Sequence, residues 1–384
     1  MKKYQFINFY KGLALILFNT LVLLIIVNLI FFLGILFLKE RITVGPLTFE
    51  PDVLKVIYPN HSPEEIKGIL GETYKQHLDL GKITRGYEYE SFTGFKEVPR
   101  KGKYVNIDPN GYRYIENQCD YPISNKTFNI FVFGGSTTFG VGLPDSETIP
   151  SRIQTQLRQK LNRTDICVYN FGRSFYYSSQ ERVFFQEQIL KGQKPNISIF
   201  IDGLNEPEVG PQNERILQNF MQGKHKISLF FSDVSIIRIS NYISDKYFRK
   251  VAPMYLEDDL KKILNRYLDN KKIVTSIGNS YGIQTYFVIQ PIPNYNYNLS
   301  YNILFTKHLL SYDDNADLVL RKQFYYAFND YYQNLSTPQK NQYIWLADLQ
   351  KDEKNNLYVD YAHYTANFSN KIAESISERI KIKN

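Results

Sequence analysis

The chain has 384 residues, 43% of them hydrophobic, and a formal net charge of +8. That length holds one large domain or two small ones, with ample apolar material for a core. The basic residues are scattered, and their tightest group, Lys96, Arg100, Lys101 and Lys103, reads as a solvated loop beside an anionic membrane surface, so no nucleic-acid partner is expected.

The 31 tyrosines and 27 phenylalanines reflect a broad compositional bias, which lowers the weight of any single aromatic residue. Cys119 and Cys167 are too few for a disulfide framework or a zinc-finger spacing. Cys167, inside the apolar run Ile166-Cys167-Val168-Tyr169, reads as a small buried residue. His61, His77, His225, His308 and His363 show no ligating pair, so neither a metal nor another cofactor is expected.

Residues 1–11 form a short tail, and Gly12 to Leu38 then run 27 positions without a charge. As a helix this stretch is about 40 Å long, more than the roughly 30 Å of a bilayer's hydrocarbon core. It is too long for a cleaved signal peptide, and Lys39-Glu40-Arg41 follow it, so 12–38 reads as an uncleaved transmembrane anchor in the lipid bilayer. Lys2, Lys3 and Lys11 precede the span against Lys39 and Arg41 after it. This asymmetry puts the amino terminus in the cytoplasm and the bulk of the chain outside.

Residues 39–127 read as a polar, turn-rich connector containing one helix. Ser62 can cap that helix, Pro63 suits its first turn and Glu65 completes a capping box. Ile66, Ile69, Leu70, Tyr74 and His77 then share an apolar face, and Gly81 ends the helix.

From 128 to 384 the pattern alternates strand and helix. Phe128–Phe133, Ile166–Tyr169, Ile197–Ile201, Ile283–Ile289 and Tyr343–Ala347 are short apolar runs of the kind that strands covered on both faces require. Between and after them, Ile149, Ile153, Leu157 and Leu161 mark one helix, Leu256–Ile277 another, and Phe368, Ile372, Ile376 and Ile380 a last one. The expected architecture is α/β, a central parallel sheet sandwiched by helices, with insertions near 207–255 and 291–340.

The first strand of this region ends in Phe133-Gly134-Gly135-Ser136-Thr137-Thr138, a sharp turn that would expose the Ser136 hydroxyl at the edge where such sheets hold their sites. Neither a dinucleotide Gly-x-Gly-x-x-Gly nor a Gly-Lys-Ser/Thr phosphate loop is present. Near the other end stands Asp360-Tyr361-Ala362-His363. A serine hydroxyl needs a base to take its proton, and a carboxylate can orient that base. The second strand closes with Asn170-Phe171-Gly172-Arg173 and the third with Asp202-Gly203-Leu204-Asn205-Glu206, which offer a backbone N–H and an amide as oxyanion donors. The Gly-x-Ser-x-Gly elbow of α/β-hydrolases is absent.

In this order, Ser136, Gly172, Gly203-Leu204-Asn205 and Asp360-Tyr361-Ala362-His363 resemble the signature of the SGNH (GDSL-type) hydrolases and acyltransferases over about two thirds of the chain. The resemblance implies a three-layer fold with about five parallel strands, Ser136 as nucleophile, His363 as base, Asp360 as its partner, and an oxyanion hole from Ser136, Gly172 and Asn205. The family's Gly-Asp-Ser is Gly134-Gly135-Ser136 here, and its Gly-x-Asn-Asp is Gly203-Leu204-Asn205-Glu206. The segment Asn106-Ile107-Asp108-Pro109-Asn110-Gly111-Tyr112-Arg113 also resembles a stretch preceding this domain in membrane-bound bacterial members.

The implied activity is hydrolysis of an acyl ester through an acyl-enzyme, with an O-acetylated envelope glycan as one candidate substrate. Two alternatives stand beside it. One is an O-acyltransferase using the same triad on an extracytoplasmic polysaccharide, and the other is a catalytically silent envelope-assembly or glycan-binding protein. Tyr295, Tyr297 and Tyr301, after the fourth strand, offer faces that could stack on sugar rings.

Overall fold

The computed structural model describes residues 2–37, 49–78, 86–208, 257–307 and 316–382. Gly81, His225, His308, the side chain of His77 and nearly all of the insertion expected at 207–255 lie outside the described residues. Helix α1 (Lys2–Phe37) belongs to one compact unit, and the remaining described residues form another. Within α1, Ile7–Ile30 has a mean hydropathy of 2.8 over 24 residues. At about 36 Å this stretch is long and apolar enough to cross a membrane.

The second unit begins with α2 (Pro51–Ile57) and α3 (Pro63–Leu78), followed by an antiparallel hairpin of β1 (Tyr87–Glu90) and β2 (Gly94–Glu97). The capping box is present: Ser62 N donates to Glu65 Oε2 at 2.8 Å, and Glu65 N to Ser62 Oγ at 3.3 Å. The expected polar connector is otherwise corrected. Val53, Ile57, Tyr58, Ile66, Leu70, Tyr74 and Val105 are buried against Phe139, Val141 and Val359, because this segment carries an apolar face that only the sheet domain can cover.

The central sheet has five parallel strands, β3 (Phe128–Gly134), β4 (Ile166–Gly172), β5 (Ile197–Asp202), β6 (Gln284–Ile289) and β7 (Tyr343–Trp345), in the spatial order β4-β3-β5-β6-β7. The period of two along β3 sorts its side chains by type. Ile130 and Val132 face an aliphatic layer with Ile149, Ile153 and Leu157 of α5 (Ile149–Leu161). Phe131 and Phe133 face an aromatic layer with Phe184 and Phe185 of α6 (Ser178–Leu190) and Val274 of α7 (Glu257–Ser280). In that layer the Phe133 ring stacks on Phe171 at 5.4 Å and on Phe200 at 5.0 Å.

Between β6 and β7 runs α8 (Ala316–Gln333), whose Leu320, Phe324, Tyr325 and Phe328 are buried. The insertion expected at 291–340 therefore contains the crossover helix that two parallel strands require. The last helix, α9 (Ala366–Arg379), returns to the aliphatic face through Phe368, Ile372 and Ile376.

Cys119 and Cys167 form a disulfide, with Cα atoms 5.7 Å apart. Cys167 is buried, as expected, and is in addition bonded to Cys119. The two residues lie 48 positions apart, and only the packing of the 114–121 loop beside β4 brings them together.

Register levels the carboxyl ends of the strands: Gly134 pairs with Gly172 and with Ile201, and Asp202 pairs with Ile289. The turns at 135, 173, 203 and 290 consequently leave the sheet along one edge.

Candidate active site

Ser136 is the first residue of α4 (Ser136–Phe139), a single helical turn entered through Gly135 in extended conformation. The Ser136 hydroxyl lies 2.8 Å from His363 Nε2, and His363 Nδ1 lies 2.6 Å from Asp360 Oδ2. All three side chains are buried. The other carboxylate oxygen, Asp360 Oδ1, accepts the backbone N–H groups of Ala362 and His363, each at 2.8 Å. The spacing of three residues between Asp360 and His363 thus folds the loop back on its own carboxylate.

A fourth donor arrives from the connector: the Tyr74 hydroxyl gives its hydrogen to Asp360 Oδ2 at 2.7 Å. Burial alone would raise the Asp360 pKa. The charge of His363, the hydrogen bonds from its ring and backbone, and the Tyr74 hydroxyl outweigh that and hold it at about 2. An ionised Asp360 fixes His363 with Nδ1 protonated and leaves Nε2 to accept from Ser136.

On the oxyanion side, Gly172 N donates to Asn170 Oδ1 at 3.0 Å. Gly172 also packs tightly, since an added Cβ there would collide with the backbone of Thr138 and Phe139. Asn205 does stand beside the nucleophile turn. Its Nδ2 donates to Tyr176 O at 2.8 Å, and a Cβ at Gly135 would lie 2.6 Å from that nitrogen. Glycine at position 135 therefore leaves room for the Asn205 amide.

Several residues that support this site are not marked by periodicity in the sequence. Glu206 Oε1 accepts from Ser178 N at 2.6 Å and its Oε2 from Ser178 Oγ at 2.8 Å, which ties the Asn205 turn to the start of α6. Burial, with Asp202 nearby, raises the Glu206 carboxyl above its ordinary range. Thr137 Oγ1 donates to Gln290 Oε1 at 2.6 Å, and Gln290 also receives the Tyr364 hydroxyl at 3.0 Å, which links the turns after β3 and β6 to the end of the Asp360–His363 loop. Beneath Asp202, the buried Lys271 pairs with that carboxylate and lies 3.8 Å from Glu181. Periodicity does not mark such residues, because each is polar and acts through partners distant in the sequence.

Other residues singled out in the sequence stand elsewhere. His61 pairs with Glu147 at 3.1 Å. Tyr295 and Tyr297, 1% and 8% exposed, are core residues. Tyr295 packs on Tyr325 at 5.3 Å, so the apolar demand of α8 has taken the ring that the expectation left at the surface. Tyr301 is exposed.

No protein-family model matches the chain, and no curated protein matches it. Among solved structures it is similar to a lipolytic protein of the G-D-S-L family from Desulfitobacterium hafniense DCB-2, with 13% identity over 66% of this chain and 100% of that one, at a TM-score of 0.36. It is also similar to the acetyl xylan esterase AlAXEase, with 10% identity over 66% and 100% of the two chains and a TM-score of 0.38. A catalytic mutant of Axe2, an acetylxylan esterase from Geobacillus stearothermophilus, is a further match, with 12% identity over 66% and 94% and a TM-score of 0.30.

Proposed function

We propose that this chain is a serine esterase in which Ser136, His363 and Asp360 form the catalytic triad. The observation that carries the reading is the buried chain of contacts from Ser136 Oγ to His363 Nε2, 2.8 Å, and from His363 Nδ1 to Asp360 Oδ2, 2.6 Å. As the Ser136 oxygen attacks the ester carbonyl, its proton passes to His363 Nε2, and the negative charge goes to the carbonyl oxygen. The Ser136 N–H at the start of α4 and the second Nδ2 proton of Asn205 are the donors assigned to that oxygen. Collapse expels the alcohol, which takes the proton from His363 and leaves an acyl-Ser136. Water, activated by the same imidazole, then releases the acid.

The 12–38 segment is the proposed membrane anchor, with 39–127 and 128–384 outside the cytoplasm as one catalytic unit. The positive charge before the span supports that orientation. So does the Cys119–Cys167 disulfide, since such bonds persist in oxidising compartments. The proposed substrate is an acyl ester of the envelope.

Labelling of the purified full chain by a fluorophosphonate probe tests the reading, because such probes react with an activated serine whatever its substrate. Labelling at Ser136 is expected, and a folded chain that resists the probe would overturn the proposal. The same protein, given p-nitrophenyl acetate with and without a polysaccharide acceptor, separates hydrolysis from acyl transfer.

A further inference from the structure

We propose that Tyr74, on helix α3 of the connector, is a positioning residue of the catalytic triad, so that the connector is part of the catalytic unit rather than a tether. The inference rests on the reading of Ser136, His363 and Asp360 as that triad. Tyr74 and Asp360 lie 286 positions apart, yet the tyrosine hydroxyl donates to Oδ2, the oxygen that also faces His363 Nδ1. The Tyr74 ring stands edge-on to the imidazole, with centroids 6.4 Å apart and planes at 85°. One side chain therefore restrains the carboxylate through its hydroxyl and the base through its ring.

The contact is built to last. Tyr74 is buried, and its helix is held by Ile66 and Leu70 in the cluster that contains Phe139 of α4 and Val359. Tyr58, from the end of α2, donates to Gly142 O at 2.9 Å and extends the same wall. Burial and the Asp360 charge push the Tyr74 hydroxyl far above its ordinary range, so it stays a donor throughout the working pH. With the two backbone N–H groups on Oδ1, the tyrosine completes the set of donors around Asp360. A buried carboxylate that shares Oδ2 with a fixed donor can swing away from His363 only by breaking that bond as well.

The β1–β2 hairpin braces the opposite side of the site in the same way. Glu97 Oε1 accepts Ser174 N at 2.7 Å, and Glu90 pairs with Arg173. These contacts hold the 173–176 loop, whose Tyr176 carbonyl receives the Asn205 amide. Connector residues thus bear on both ends of the reacting array.

The test compares the detergent-solubilised full chain with Tyr74→Phe, which keeps the ring and removes the hydroxyl. With p-nitrophenyl acetate, Tyr74→Phe should lower kcat by about tenfold or more with KM little changed, the scale of losing one hydrogen bond to a charged group. The acid limb of kcat/KM should also move to higher pH. Asp360, deprived of a donor, concentrates more charge on His363 and stabilises its protonated form. The ionisable groups that bear on Tyr74 include Asp360, His363, Tyr58 and Tyr361, with Glu147 acting on Tyr58, and the substitution removes only the Tyr74 hydroxyl. Leu70→Ala serves as the control for packing: it should lower thermal stability without moving the acid limb. A folded Tyr74→Phe variant with the parent kcat and the parent pH profile overturns the proposal, as does a Leu70→Ala profile displaced by the same amount. If Ser136→Ala retains full turnover, the triad reading itself fails, and the two failures are separately visible.

Discussion

The Arg113 guanidinium closes the helix that begins at Ser136: its Nη1 donates to the Phe139 and Gly140 carbonyls, each at 2.8 Å. Its Nη2 reaches Leu143 O at 2.6 Å, and its Nε pairs with Asp145 at 2.8 Å. The guanidinium also lies 4.9 Å from the Phe139 ring centroid. A one-turn helix cannot satisfy its own last carbonyls, and Arg113 satisfies them from outside. The stretch Asn106–Arg113, conspicuous in the sequence before the sheet domain, thereby acquires a physical role in holding the nucleophile turn.

Arg113→Lys should therefore cost more than a charge-conserving change usually does. A lysine cannot fork to four acceptors, and the buried carbonyls and Asp145 would be left short of donors. A stability loss of about 3 kcal/mol is expected in urea unfolding, with p-nitrophenyl acetate turnover falling as Ser136 loses its fixed position. Unchanged stability would show that the carbonyls find other partners.

Ser136→Ala should abolish turnover, with a loss on the order of 10⁴ to 10⁶ in kcat. Residual rates above that range in a folded variant would remove Ser136 as the nucleophile. The measurement is single-turnover and steady-state hydrolysis of the same p-nitrophenyl ester.

Asn205→Ala should lower kcat by roughly 10² to 10³ with a smaller change in KM, if its amide meets the developing oxyanion. Gly135→Ala should act in the same direction without touching Asn205 chemically, because the new Cβ would press on its Nδ2. The two substitutions should be far from additive, since both act on one amide. Simple multiplication of the two effects would separate Gly135 from Asn205.

Asp360 sets a pH window for stability. Its folded pKa of about 2 lies below the ordinary 3.8, so its contribution is fully present above pH 4 and is lost as pH falls toward 2. The amount is about 2 kcal/mol, and Asp360→Asn should flatten that part of the unfolding curve. Asp360→Asn should also slow ester hydrolysis at neutral pH, because a neutral amide no longer holds His363 with Nδ1 protonated. An unchanged rate in the folded variant would contradict the assignment of roles.

Fusion of reporters to Asn384 tests the orientation. Periplasm-dependent alkaline phosphatase should be active there and a cytoplasm-dependent fluorescent reporter dark. The reverse pattern would place the triad in the cytoplasm and redirect the search for the ester.

Much of the fold was legible in the sequence because local patterns determine it. The apolar runs at Phe128, Ile166, Ile197 and Ile283 are buried on both faces, and that demand is written in consecutive residues. The capping box at Ser62–Glu65 and the four-residue spacing along α5 and α9 are likewise short-range signals. The strand–helix alternation was legible too, and sequential parallel strands deliver their turns to one edge. Tertiary structure decided the rest. That Tyr295 is core and that Cys119 meets Cys167 each depend on a partner many positions away. The contact between Tyr74 and Asp360 is the extreme case. No periodicity encodes a bond between a helix face and a loop 286 positions on, and only the shared apolar cluster of Ile66, Leu70, Phe139 and Val359 brings the two within 2.7 Å.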